Sequence, residues 1–512
     1  MRTKNSIINT LVGLGSYAIL LLGPVVLSPI VASLGSEILG IQKTFMDTVA
    51  LLNIIELGIS FGVIYKLYKP IAENDTEKIA ILLNFYKNTF KVIASILLAL
   101  GLLTAIIIPK LAPAHDASKF TDRWLSAMFL LYVADTLATY LFGHKRAMLI
   151  ADQRNYLVSI SKTGCQLLMF ILQFVAVMHF RSFELYVIAR LICTLLDSIL
   201  VHTIYKIRYK NIDLRTKKKL EKGERDDLFR NLGALFYHKI GYQSLASGST
   251  LIITSNLGEA VTGMYYPYTL ITNGLMSITD QVFNAILTSF GNLLVKATQG
   301  QVHNIYKKIF FLNHIIYSFF SVSLFCLVGP FIRLWMGDKF LFPLSTLILI
   351  TVNFYTFGMR KSITMVKNSA GLYRPDRHFA LIEAALNIGL AMILVGDFGL
   401  NGVLIANIIS SLCIPFWTQP YVVYKNIFNR SVVDYYKKHA LYAAITLIST
   451  FLTYFLCSFS SATGFMSLVS NGLICLVVPN AINALIFRKT DEYQYLRGIA
   501  RNVFKQFRMR NS

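Results

Sequence analysis

Fourteen long apolar runs, broken only by short charged connections, leave this chain one environment in which to fold. They lie at 7–31, 38–65, 85–108, 124–143, 156–178, 183–205, 232–254, 263–290, 309–328, 343–359, 378–396, 401–424, 439–457 and 465–487. Each approximates the roughly 20 residues a helix needs to cross a bilayer. With no water to satisfy backbone groups in hydrocarbon, runs of this length read as helices. The seventh is the most polar of them. The composition agrees: 55% of the 512 residues are apolar and only 15% charged, against roughly 25% charged in a soluble domain. Disordered, collagenous and disulfide-scaffold classes are excluded by the same pattern.

The formal charge of +23 points to orientation rather than to nucleic acid. Cytoplasmic loops of membrane proteins are enriched in Lys and Arg. If the N-terminus is cytoplasmic, that side of the membrane holds 37 of the 49 basic residues. The other side holds six, and this asymmetry predicts fourteen spans with both termini inside. The first run is too long for a signal-peptide core and is expected to stay in place. All six cysteines fall in apolar runs without metal-ligand spacing, and read as small core residues.

The runs divide into an N-terminal six-helix lobe at 1–205, a basic cytoplasmic linker at 206–231, a C-terminal six-helix lobe at 232–424, two additional spans within 425–487, and a tail at 488–512. The linker carries Lys217, Lys218 and Lys219, which suit anionic lipid headgroups. In the tail, Tyr493, Leu496, Ala500, Val503 and Phe504 share a helical face flanked by Arg497 and Arg501, as in an amphipathic helix lying on the inner surface. A short turn of the form L-G-x-x-x-x-G occurs at Leu34-Gly35 with Gly40 and again, 223 residues on, at Leu257-Gly258 with Gly263. The expected fold is thus an all-α integral membrane protein: about fourteen transmembrane helices, with two six-helix lobes in pseudo-twofold repeat plus two extra C-terminal helices. Secondary transporters use such repeats.

Beyond this pattern the sequence resembles the polysaccharide and O-antigen lipid flippases (Wzx-type) of the multidrug/oligosaccharidyl-lipid/polysaccharide exporter superfamily, over nearly its whole length. The resemblance rests on Asn5 and Asn9 before a Gly- and Pro-containing first span, on Leu34-Gly35-Ser36-Glu37-Ile38-Leu39-Gly40-Ile41, on Glu56-Leu57-Gly58-Ile59, and on Gly399-Leu400-Asn401-Gly402. It implies a multi-pass protein of a bacterial cytoplasmic (inner) membrane. Such a protein moves an undecaprenyl-pyrophosphate-linked oligosaccharide from the inner to the outer leaflet by alternating access, without hydrolysing nucleotide, for O-antigen (lipopolysaccharide), capsule or exopolysaccharide synthesis. A polysaccharide polymerase and a chain-length regulator are its candidate partners. The spacing by itself supports only a secondary transporter.

Ionisable groups in hydrocarbon cost a few kcal/mol and usually line a pathway or pair with one another. Tyr266, Thr269, Asn273, Ser277, Asp280 and Asn284 form a polar stripe along the eighth span, and Lys239, Gln243, Ser247, Thr250 and Thr254, with His238 beside them, form one along the seventh. Lys43 and Asp47 share a face of the second span, as a plain i,i+4 ion pair or as ligands, while Glu56 lies on another, so both faces reach one cavity only if that helix bends. Arg190 aligns with Thr194 and Asp197, where the charges could neutralise one another. Candidate cargo ligands are therefore Lys239, His238, Gln243, Tyr266, Asn273, Asp280, Arg190 and Lys43, with Arg360 at the cytoplasmic mouth. Within the spans four cations (Lys43, Lys162, Arg190, Lys239) face six acids (Asp47, Glu56, Asp135, Asp197, Asp280, Glu383), so a cationic lumen is not evident. Asp47, Glu56, Asp135, Asp280 and Glu383 are the candidates for coupling to H⁺ or Na⁺; no other cofactor and no metal is expected. Pro24 and Pro29 make the first span a candidate gating element.

Three other functions share this architecture: a peptidoglycan-precursor lipid flippase, a multidrug or cation antiporter of the same superfamily, and an integral-membrane polysaccharide polymerase. The enzyme would need a sizeable external loop, yet the longest external connection, at 109–123, holds neither paired carboxylates nor a nucleophile with a base. No P-loop motif occurs, so ATP-driven transport is not expected.

Overall fold

A computed structural model of the protein describes the backbone of residues 2–510 except at 57–58, 112–119, 213, 215, 217, 219 and 460–463. Side chains are described for these residues apart from 2–8, 10–11, 14, 55, 59, 61, 222, 226–236 and 503–510. Every regular element among the described residues is helical. The first expected span is α1 (Arg2–Ala32). The second is broken into α2 (Ser36–Leu52), a 3₁₀ turn at Asn53–Glu56, and α3 (Ile59–Glu73). The third is α4 (Thr76–Leu111). The fourth comprises α5 (Asp122–Tyr140) and the nine-residue α6 (Gly143–Ala151), bent by 45°. The fifth and sixth are α7 (Asn155–Met178) and α8 (Phe183–Arg208).

The seventh and eighth spans are the two halves of α9 (Lys222–Lys296), separated by a turn at Gly258. The ninth is α10 (Gln299–Trp335). The tenth is broken like the fourth, into α11 (Leu344–Met359) and the nine-residue α12 (Lys361–Ser369). Next come α13 (Arg377–Phe398), and α14 (Leu400–Cys413) continued by α15 (Pro415–Val423). Then follow α16 (Val433–Ser458), α17 (Gly464–Phe487) and the tail helix α18 (Asp491–Arg510). Nine described helices are long and apolar enough to cross a membrane, and the bent α5–α6 pair makes a tenth. The other four expected spans are helical too, but short (α11), broken (α2 with α3) or polar (both halves of α9).

The chain forms two compact units, Met1–Pro267 and Tyr268–Ser512, dividing inside the second half of α9. In the first unit the repeated L-G-x-x-x-x-G turns have a structural cause. Gly35 and Gly258 turn the chain at φ 130° and 86°, conformations open to glycine and hostile to residues with a Cβ. Gly40 and Gly263 then meet: a Cβ on Gly40 would lie 1.9 Å from the Glu259 carbonyl oxygen, and one on Gly263 1.8 Å from that of Ser36. This is the close backbone approach that small residues permit in membranes. Beside it the Thr254 hydroxyl sits 2.8 Å from that of Thr44 and 2.9 Å from that of Thr262. The C-terminal part of the seventh-span stripe therefore makes helix packing: Ser247, Thr250 and Thr254 are all buried.

Two motifs of the family resemblance also have local roles. Asn9 accepts the Tyr156 N–H at 2.6 Å and donates to the Gln153 carbonyl at 3.0 Å, fastening α1 to the start of α7. Gly399, at φ 56°, makes the tight turn between α13 and α14, and Asn401 accepts the Thr346 hydroxyl at 2.7 Å to fix α14 on α11.

In the second unit an aromatic column joins α10 to α16 and α17. His314 stacks on Tyr442 with ring centroids 4.2 Å apart, and its Nε2 is 2.9 Å from the Asn483 amide oxygen. Phe310 stacks on Tyr435, and Phe311 meets Phe487 edge-on. Such ring pairs contribute about 0.5–1.5 kcal/mol each beyond burial. Here α18 docks by Lys438–Glu492 at 2.6 Å, and Lys308 lies 4.0 Å from the Tyr495 ring centroid.

Candidate functional site

The break in the second span is a 3₁₀ turn at Asn53–Glu56, which separates Lys43 and Asp47 on α2 from Ser60 on α3. Tyr140 donates to the Asn53 amide oxygen at 2.8 Å, Ser60 donates to the Glu56 carboxylate at 2.5 Å, and Tyr86 donates to Ser60 at 2.9 Å. Side chains of α4 and α5 thereby hold the turn between α2 and α3. Glu56 lies in this clasp, while Lys43 and Asp47 lie above it on α2 as an ion pair at 2.5 Å, each about one-sixth exposed or less.

The sixth-span charges do not neutralise one another. Arg190 Nε instead reaches across to Asp135 of α5 at 2.7 Å, and Thr194 donates to the other oxygen of that carboxylate at 2.5 Å. Asp197 belongs to a separate pair, taking Arg146 of α6 at 2.6 Å and the Ser161 hydroxyl of α7 at 2.7 Å. The second unit has a matching clasp. Arg360, at the α11–α12 break, donates at 3.1 Å both to Glu383 of α13 and to Ser411 of α14. Each clasp ties a bent span to the two spans that follow it, with acid and serine exchanged between helices.

Asp280 pairs with Lys361 of α12. Five of the six in-span acids thus have cationic partners, three of them supplied by Arg146, Arg360 and Lys361 from outside the expected spans. The surplus of acids counted along the sequence disappears on folding. Lys239 and Asn273 are exposed, His238 is half-buried, and Gln243 donates to Ser247 at 2.6 Å.

The Arg190 side chain is 30% exposed while its Asp135 partner is only 7% exposed, close to the 25% and 10% of the Arg146–Asp197 pair. The exposed part of Arg190 opens on a cavity of about 80 Å³ walled by α1, α2, α7, α8 and Tyr266. Polar walls come from Ser28, Gln42, Gln173, Tyr186 and Tyr266. The Gln42 amide donates to the Tyr186 hydroxyl at 3.0 Å, and its buried oxygen has no hydrogen-bond partner. The Arg190 guanidinium also lies 5.1 Å from the Tyr132 ring centroid, and the Lys43 ammonium 6.0 Å from that of Tyr266. Two ion pairs therefore flank one polar pocket. Its volume suits a few waters or a small ion, against the ~300–1,000 Å³ that encloses a drug-sized ligand. Pro24, on the cavity wall, leaves the α1 backbone ladder one donor short.

Sequence reasoning found Arg190, Asp135, Lys43 and Tyr266 but missed Gln42, Gln173 and Tyr186. The usable signal was i,i+4 spacing, which puts Tyr186 beneath Arg190 on α8 and Gln42 beneath Met46 on α2.

No protein-family profile and no curated protein sequence matches this chain. Solved structures do. The lipid II flippase MurJ, in an inward closed conformation, aligns with a TM-score of 0.67 at 14% identity, over 94% of this chain and 99% of its own. The two proteins share a fold. An inward-facing MATE family multidrug transporter of the MOP superfamily aligns at 0.58 and 13% identity, over 80% of this chain and 94% of its own. The Vibrio cholerae MATE transporter VcmN aligns at 0.56 and 13% identity, over 84% of this chain and all of its own. The all-helical, multi-pass architecture expected from the sequence is thus one already seen in transporters.

Proposed function

We propose that this chain is a flippase that carries an undecaprenyl-pyrophosphate-linked oligosaccharide from the inner to the outer leaflet of a bacterial cytoplasmic membrane, for O-antigen, capsule or exopolysaccharide synthesis. The observation that carries the proposal is Arg190: a guanidinium placed within a membrane span, oriented by a buried Asp135, and partly open to a cavity of hydrogen-bonding side chains. Holding an Arg at that depth is costly. Its planar donor fork suits a phosphate or pyrophosphate oxygen better than a cationic drug. Lys43, on the same cavity's flank, adds positive potential, while Gln42, Tyr186 and Tyr266 supply donors and acceptors that sugars or phosphates can use. Coupling to an ion gradient belongs to the same proposal, with Asp47 and Asp135 as the carboxylates nearest the cavity.

A second reading is supported by the alignment itself. The lipid II flippase MurJ matches 94% of this chain, while the MATE transporters match 80–85%, so a peptidoglycan-precursor flippase is the nearest alternative. A deletion strain separates the two. Loss of surface polysaccharide, with lipid-linked oligosaccharide accumulating on the cytoplasmic side and cell-wall synthesis intact, is the expected result. Accumulation of lipid-linked peptidoglycan precursor with lysis would replace the first reading by the second.

A further inference from the structure

We propose that an apolar groove between α1 and α7 seats the hydrocarbon chain of the lipid whose anionic head is held at Arg190, so that this face of the first unit is a binding site for a polyprenyl pyrophosphate. The inference rests on the flippase reading and deepens it. The groove, of about 400 Å³, is lined by apolar side chains, among them Leu22, Val26, Leu167, Ile171 and Phe174. Leu22, Val26 and Ile171 are each about 60% exposed, so the groove opens outward from the helices.

Its place beside the polar cavity is what separates it from an ordinary lipid-facing surface. Leu27 and Phe170 line both spaces, with Arg190, Gln42 and Tyr186 on one side of them and only apolar groups on the other. The Phe170 ring lies directly on Gly23: a Cβ there would fall 2.0 Å from the ring's Cζ. The partition between the two spaces is thus the Phe170 ring, resting on Gly23 next to Pro24, together with the Leu27 side chain. A molecule that is apolar along its length and doubly anionic at one end matches both chambers at once. Charge complementarity at Arg190 selects an anionic head, and the unbroken apolar lining selects a long hydrocarbon chain.

The test uses the full-length protein in liposomes containing a long polyprenyl pyrophosphate with a diazirine on its chain. After irradiation, labelling should concentrate on residues 19–27 and 167–174. It should exceed that on the equally exposed 102–107 face of α4 by on the order of tenfold, the ratio that ~1.4 kcal/mol of preference supplies. Unlabelled polyprenyl pyrophosphate should suppress it, while polyprenol and phosphatidylglycerol should not. The double variant Val26→Trp/Ile171→Trp, which fills the groove from exposed positions, should lose the labelling with its melting temperature unchanged. Arg190→Gln should reduce it similarly by removing the head contact. Equal labelling of α4, or equal competition by polyprenol or phosphatidylglycerol, would overturn the proposal. Specific labelling without lipid translocation would keep the site and remove the transport reading; translocation with uniform labelling would do the reverse.

Discussion

Arg190 and Asp135 show at the scale of single residues how position in the fold decides what a charge does. Removing one partner of a buried pair typically costs about 3–5 kcal/mol, since the other charge is left without compensation. Asp135→Ala should therefore lower the melting temperature of the purified protein sharply and abolish export. The double variant Arg190→Gln/Asp135→Asn removes both charges and should recover most of the stability but none of the export. If export returns with stability, Arg190 is only a structural partner of Asp135. Lys239→Ala should cost less export than Arg190→Gln, because Lys239 is exposed on the first half of α9 and does not line the Arg190 cavity. That charges lay within the spans was legible in the sequence. The pairing of Lys43 with Asp47 was legible too, as i,i+4 neighbours on one helix, but that of the sixth-span charges was not: Arg190, Thr194 and Asp197 share one face of α8, yet the two charges find different partners on α5 and α6. Helical periodicity describes one helix at a time, and these pairs form between helices.

The elements were largely legible, and the exceptions have a common physical cause. Among the described residues all fourteen expected spans are helical, because a helix satisfies its own backbone groups where lipid offers no partner. The breaks inside the second, fourth and tenth spans were hidden, since a bent span stays as apolar as a straight one; each is held by side chains from neighbouring helices. The glycine repeat was visible as a motif, but its meaning, a crossing of backbones at Gly40 and Gly263, required coordinates. Overpacking a core generally costs about 1–3 kcal/mol. Gly40→Ala and Gly263→Ala should each exceed that range, because the obstructing atoms are backbone. Gly164→Ala, with no atom within 4 Å of the added methyl, should leave the melting temperature unchanged. The tail helix offers a pH test. Burial by itself would push the Glu492 carboxyl up, but the Lys438 hydrogen bond, its own backbone bond and the charges of Lys438 and Lys307 outweigh it and hold it below its ordinary 4.5. A depressed carboxylate stabilises docking fully above its unfolded value and loses that contribution as pH falls through the folded one. Proteolysis of α18 should therefore accelerate below about pH 4.5, and Glu492→Gln should give the fast rate already at pH 7. With Lys438 33% exposed, solvent screening limits the effect to roughly 1 kcal/mol.

For the whole molecule, hydropathy carried the reading as far as a many-span helical membrane protein, and the alignment with a lipid flippase and two MATE transporters rests on the same arrangement of helices. The cargo was not legible from that arrangement, because one scaffold serves lipids and drugs alike and specificity lies in a few side chains. In this chain a guanidinium opens to a polar cavity, and next to it lies an apolar groove behind Phe170 and Leu27. A lipid must keep its chain in hydrocarbon while its head crosses, and this pairing of chambers meets that need in one unit of the protein. The most direct measurement is translocation in proteoliposomes. A polyprenyl-pyrophosphate-linked oligosaccharide is placed in one leaflet, and its arrival in the other is followed with an impermeant glycosidase or lectin. The account expects transfer that depends on the wild-type protein and is lost in Arg190→Gln. Wild-type protein that moves no such lipid, yet expels a cationic dye in exchange for protons, would contradict it.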